Sequence, residues 1–138
     1  MLLPINPLTP QAFKPFGDVI APDGDDRFVI VTAEPHEKGW RLARSRVVPG
    51  PVTSLGRHDT TRESFTPLDG TTVIVVAQPD TPQQMQAFLL DRSVCIHKNV
   101  WHQTVALSER SYLVISENHD VGQEDYILDA PLTVGLGA

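Results

Sequence analysis

Two groups that do chemistry in proteins, an imidazole and a carboxylate, stand five residues apart in RHDTTRESFTPLDG, residues 57–70: His58 and Glu63. The residues around them suit a β-strand that runs into a turn. A second imidazole, His102, lies in NVWHQ, within a later stretch of strand-forming residues. If the two segments face one cavity, their imidazole nitrogens and carboxylate can hold a divalent metal with open coordination positions. Without a metal the same three groups make a polar cage for a small, oxygen-rich ligand. His97, five residues before His102, joins as a further ligand if the turn between them folds it back. Each residue also has a plain structural use. A histidine in a β protein is more often half-buried and hydrogen-bonded than a ligand, and a strand glutamate more often faces water. Trp101 reads as core or pocket wall, Lys98 as a solvated hairpin tip, and His36 and His119 as loop residues.

The elements that must position these groups are short. Thr9 can cap a helix and Pro10 suits its first position, while Pro15 and Gly17 hold it to about two turns. Strand-like runs follow at 18–22, 27–35, 41–48, 52–58, 63–68, 71–78, 85–90, 93–107 and 111–118, separated by turn residues. Asp69-Gly70 reads as a hairpin dipeptide. PLTVGLGA, residues 131–138, reads as an edge segment or a disordered tail. Many short strands about ten residues apart, with little helix, predict a β-sandwich or barrel. Twelve prolines against nine glycines agree with many stiff connections.

Bulk properties exclude several functions. At 138 residues the chain is expected to form one domain, residues 1–138. A formal charge of −6 and no basic run argue against nucleic acid, whose phosphates require a basic surface. No stretch is long and apolar enough to span a membrane. MLLPINPLTP has neither a positive leader nor a signal-peptide core. Cys95 is alone, so no internal disulfide forms, and it reads as a small buried residue rather than a nucleophile. A reducing cytoplasm is the expected setting.

The spacing of the two histidine segments resembles the paired motifs of cupins. His58 takes the second histidine position of the first motif, Glu63 the glutamate and Gly70 the glycine, while Gly56 stands where the first histidine would be. His102 takes the histidine of the second motif, with Asn99 in place of its turn glycine. Beyond these, FKPFGDVI, RHDTTRESFTPL, VIVVAQPDTPQQMQAFLL and NVWHQTV followed by YLVI together resemble the ureidoglycolate lyases of allantoin degradation.

That resemblance implies an all-β, cupin-like (RmlC-like) barrel or jelly roll with a short N-terminal helix, assembled as a homodimer. It implies cleavage of ureidoglycolate, or a similar small hydroxy acid amide, to glyoxylate and urea; the alternatives are a metal-dependent cupin enzyme of another substrate and a non-catalytic cupin that binds a small metabolite. His102 would be the acid–base residue, with His58 and Glu63 orienting substrate or ligating a divalent metal. Arg57 and Lys98 would clamp the substrate carboxylate, beside Trp101, Phe65 and Gln103. The chain departs from the family's pattern at Ile96, Gln103, Thr104, Ser116 and Glu117. Ser116-Glu117 replaces an Asp-Arg pair, an exchange of a cation for an anion that would disfavour an anionic substrate.

Overall fold

The computed structural model describes residues 1–20 and 39–137; the strand expected at 27–35 and His36 lie outside them. Along the described chain run β1 (Leu2–Asn6), α1 (Pro10–Phe13), β2 (Gly17–Val19), β3 (Arg41–Val47), β4 (Val52–Arg57) and β5 (Glu63–Asp69). They are followed by β6 (Thr72–Ala77), β7 (Gln86–Leu89), β8 (Val94–Ile96), β9 (Trp101–Ala106), β10 (Ser111–Glu117) and β11 (Glu124–Gly135).

TVIVVA has almost no polar residue, a composition that fits a strand covered on both faces. That strand, β6, is buried along its whole length and divides the core in two. Alternate side chains point to opposite faces. Val73, Val75 and Ala77 therefore join Val52, Leu55, Trp101 and Leu132 in one cluster. Ile74 and Val76 join Phe65, Phe88, Val94 and Leu113 in the other. The sheets follow the same division. The strands β1-β11-β4-β9-β6-β7 close into a barrel, and β2-β8-β5-β10-β3 form a separate five-stranded sheet. The fold is a cupin-like, all-β jelly roll. Each fully buried valine, isoleucine or phenylalanine contributes about 1.5–3 kcal/mol of hydrophobic stabilisation.

The helix is as short as its prolines require. Thr9 Oγ1 accepts the Ala12 N–H at 3.1 Å, and the chain leaves the helix at Lys14. Its purpose is to deliver Phe13 and Phe16 onto Phe88, with ring centroids 5.1–6.0 Å apart.

Three local expectations are corrected. Gly70 does take the positive φ (+74°) of a tight turn, but β5 pairs with β10 and β8, whereas β6 pairs with β7 and β9. Asp69-Gly70 is thus a corner between two sheets, not a hairpin, because a turn dipeptide fixes the bend and not the partner of the next strand. The run at 93–107 is two strands, β8 and β9, broken at Asn99, whose φ is +67°. Finally, residues 131–135 are neither an edge nor disordered. They end β11, which pairs in parallel with β1 and antiparallel with β4. Neither β1 nor the first half of β11 shows a strand-like sequence signal strong enough to be expected. Pro4 and Pro131 interrupt them, and β11 loses register with β4 between Ile127 and Leu132.

Candidate active site

His58 follows β4 in the barrel and Glu63 opens β5 in the other sheet, so residues 58–62 cross from one sheet to the other. The five-residue spacing is the length of that crossing, and it leaves both side chains at the same end of the sandwich. His102 reaches them from β9, next to β4, with Gly56 opposite it in register. The Asn99 turn ties the second segment to the first: the Asn99 N–H donates to the His58 carbonyl at 2.8 Å. Asparagine tolerates the left-handed conformation better than most residues, which lets it replace glycine here.

The three groups converge. Glu63 Oε1 lies 3.0 Å from His102 Nε2 and 3.2 Å from His58 Nε2. The imidazole centroids are 5.3 Å apart, and Phe65 packs edge-on against His102 at 5.7 Å. Both histidine side chains are 11% exposed and that of Glu63 is 7% exposed. The tautomers follow from the other ring nitrogens. His58 Nδ1 is 2.8 Å from the Gly122 carbonyl and His102 Nδ1 is 3.0 Å from that of Val100. A carbonyl only accepts, so each Nδ1 carries the proton and donates. In the neutral rings both Nε2 atoms then turn lone pairs toward a carboxylate oxygen, and Glu63 Oε1 is buried without a hydrogen bond among the described residues.

Three acceptors facing one another require a positive charge between them. A proton is one solution. Burial by itself would push the Glu63 carboxyl up, but the His102 and His58 imidazoles outweigh it and hold the group at about 2. Reciprocally, the Glu63 carboxylate holds His58 above the ordinary imidazole range, against the opposing effect of burial. A divalent cation is the other solution, and the donor set fits it. The ligand atoms of His58, Glu63 and His102 all lie within 4.8 Å of one another. Two imidazoles and a carboxylate are a usual ligand set for a divalent transition metal, and these three would hold it.

The other residues that the resemblance assigns to the site lie outside the cluster of His58, Glu63 and His102. Trp101 and Gln103 flank His102 on one strand, so they point to its opposite face. Trp101 lies in the barrel cluster and its Nε1–H donates to the Pro79 carbonyl at 3.0 Å; the Gln103 amide donates to Ser54 O at 3.3 Å. Arg57 stacks on the Trp101 ring at 4.3 Å and pairs with Glu124 at 2.8 Å. Phe65 is core that walls His102. His97 turns outward, its Nε2 3.3 Å from the Lys14 carbonyl, and does not join the cluster. Lys98 is exposed in the turn between β8 and β9. A polar recess of about 350 Å³, lined by Arg57, Asp59, Asn99, Gly122, Gln123 and Glu124, opens beside His58. None of His58, Glu63 and His102 is among its lining residues. The missing first histidine of the motif also has a structural consequence: a side chain at Gly56 would start 2.6 Å from the Gln123 amide nitrogen.

Two residues of the site carry no sequence signal of their own role. Glu117 ends β10 and is paired in register with Glu63 on one side and Arg41 on the other. Its Oε1 is 3.8 Å from His58 Nε2. Arg41, from β3, donates to Glu117 Oε2 through Nε at 2.8 Å and also through Nη2. The exchange of cation for anion expected at Ser116-Glu117 is therefore cancelled by an arginine 76 residues away in the chain. Only strand pairing reveals it.

Comparison with known proteins agrees with this geometry. A family model described as ureidoglycolate lyase matches residues 29–135. A ureidoglycolate lyase of Pseudomonas syringae pv. syringae is 33% identical over 94% of this chain and 92% of its own length. One from Pseudomonas putida is 34% identical over 84% of each. Among solved structures, a dTDP sugar isomerase from Desulfovibrio desulfuricans matches with a TM-score of 0.51 at 18% identity, over 83% of this chain and 82% of that one, a likeness of fold alone. A family match over most of its length, with the two histidine segments brought to one carboxylate, places this chain in the ureidoglycolate lyase family.

Proposed function

We propose that the chain, as a single domain, is a carbon–nitrogen lyase that cleaves ureidoglycolate to glyoxylate and urea, in allantoin and purine nitrogen catabolism. The observation that carries this reading is the meeting of His58 Nε2, His102 Nε2 and Glu63 Oε1 at contacts of 3.0 and 3.2 Å in a chain of this family. The substrate carbon bears a hydroxyl, a carboxylate and the ureido nitrogen. The hydroxyl proton departs and the O–H electron pair forms the glyoxylate carbonyl. The C–N pair goes to nitrogen, which takes up a proton as urea leaves. One proton moves from oxygen to nitrogen, so a single group that accepts and then donates balances the reaction.

Imidazole titrates in the range that such a step needs. His102 is the acid–base residue, because Val100 O holds its Nδ1–H and leaves Nε2 to accept. Glu63 stabilises the imidazolium that forms, and His58 completes the wall of the site. Their low exposure keeps water out and strengthens each contact.

The cation-binding state uses the same atoms. His58, Glu63 and His102 would hold the ion, and when bound it supplies Lewis acidity toward the substrate's oxygens. Charge supports this state: a divalent ion with Glu63 leaves one net positive charge, Glu117 and Arg41 cancel, and the substrate carries one carboxylate. Ligation and proton transfer by His102 Nε2 exclude each other. Metal analysis after metal-supplemented purification separates them, and less than about a tenth of an equivalent removes ligation. Urea and glyoxylate release from racemic ureidoglycolate tests the lyase reading, and a protein that releases neither ends it. Unchanged activity in His102→Ala removes His102 from the chemistry.

A cytoplasmic homodimer completes the proposal. The dimer rests on the family resemblance, and the reducing compartment on a sequence with a single cysteine. Light scattering of the purified protein tests the dimer; a monomer at micromolar concentration rejects it.

A further inference from the structure

One buried group in the site has no task in the chemistry above. The Glu117 side chain is 5% exposed. Arg41 satisfies Oε2 with two donors, but Oε1 is buried and accepts no hydrogen bond among the described residues. Arg41 balances the charge without meeting the need of the second oxygen. A buried acceptor left without a donor is destabilising. The free oxygen is directed at the imidazole cluster, 3.8 Å from His58 Nε2, and Glu117 does not belong to the set of converging ligand atoms. It borders the space that a molecule held by His58, Glu63 and His102 would occupy.

We propose that Glu117 Oε1 recognises the urea end of the substrate by accepting a ureido N–H, and that Arg41 is the residue that positions it. The inference rests on the lyase reading for the identity of that donor. The two ends of such a substrate differ in what they offer. The hydroxy acid end brings oxygens, which suit a cation or an imidazolium. Only the ureido end brings N–H donors. A carboxylate accepts these and repels a second carboxylate, so Glu117 both selects the ureido group and sets the substrate's direction. Sites built to satisfy a polar group reject analogues that lack it, because their own buried group is then left unpaired.

Glu117→Gln tests this without altering shape. The Arg41 fork needs an acceptor, so it draws the amide oxygen to itself and turns the NH2 toward the site. The acceptor becomes a donor. Two unreactive probes are titrated calorimetrically into the intact protein: N-carbamoylglycine, which keeps the ureido group, and glycolate, which keeps only the hydroxy acid. In Glu117→Gln the affinity for N-carbamoylglycine should fall about tenfold or more while that for glycolate stays within about twofold. Arg41→Ala should show the same selective loss, partly restored in Arg41→Lys. Parallel loss of both probes, or an unchanged affinity for N-carbamoylglycine, overturns the proposal. Because neither probe turns over, selective loss in a protein that fails to cleave ureidoglycolate would retain Glu117 and reject the lyase reading.

Discussion

Glu63 and Glu117 sit opposite each other on β5 and β10, are buried to nearly the same degree, and among the described residues each has one oxygen without a hydrogen bond. They differ in what answers their charge. Glu63 faces two imidazoles, side chains that can take up a proton or ligate a metal. Glu117 faces a guanidinium, which does neither. One carboxylate therefore belongs to a convertible cluster and the other to a fixed pair. Identical residues at paired positions acquire different chemistry from different directions: the imidazoles reach Glu63 from the barrel, on β9 and just after β4, whereas Arg41 reaches Glu117 from β3, its neighbour in the same sheet.

The sharpest way to break this contrast is to neutralise the convertible side. Glu63→Gln should lower ureidoglycolate cleavage by about 10²–10⁴-fold with the circular dichroism of the native fold retained. Urea release within threefold of wild type would show that the two carboxylates are not functionally distinct.

The next effect concerns stability in metal-free protein. Glu63 is held at about 2 in the fold against an ordinary 4.5, so its contribution is complete above 4.5 and is lost as pH falls toward 2. His58 is raised above 6.5, so its contribution is complete below 6.5 and fades as pH rises through the folded value. Both describe one interaction, and the melting temperature should be highest between 4.5 and 6.5. The acid limb corresponds to roughly 3 kcal/mol. Glu63→Gln should flatten the profile, and a variant that keeps both limbs would assign them to other groups.

Smaller effects test what positions each side. The imidazole side depends on the left-handed turn at Asn99, so Asn99→Ala should cost about 1–2 kcal/mol in chemical denaturation, whereas Asn99→Gly should be close to neutral. Equal losses in both variants would locate the contribution in the side chain instead. On the guanidinium side, Arg41 is 39% exposed but its partner Glu117 only 5%, so Arg41→Ala, which leaves a buried carboxylate without its donors, should cost about 1–3 kcal/mol. Smallest of all, Gln103→Ala should change turnover by less than about twofold, because alternation turns residue 103 away from His102. A larger drop would place Gln103 at the substrate.

Much of the fold was legible because local rules decide it. Thr9 and Pro10 specify where a helix begins and Pro15 where it cannot continue. The valine run of β6 needs cover on both sides. His58, Glu63 and His102 were legible as a set because a short crossing and a left-handed asparagine each constrain only a few residues. The weaker strands were not. β1 and β11 are stabilised by their partners rather than by alternation of their own, and Pro4 and Pro131 obscure them.

Trp101 and Gln103 show a different limit. Proximity in sequence suggested proximity to substrate, yet in a strand the immediate neighbours of an inward residue are the ones that face away. The partners of Arg57, Glu124 and Trp101, become visible only once β4 has met β11 and β9.

By itself the sequence determined the residue types at the site, the turn that carries His102 and the all-β character of the chain, since these depend on interactions within a few residues. The tertiary structure alone decided that Glu117 stands beside Glu63, that Arg41 neutralises it, and that both histidines direct Nε2 rather than Nδ1 inward. The physical reason is that strand pairing and backbone carbonyls bring together groups with no fixed separation along the chain, and burial gives their charges effects that an exposed strand would not.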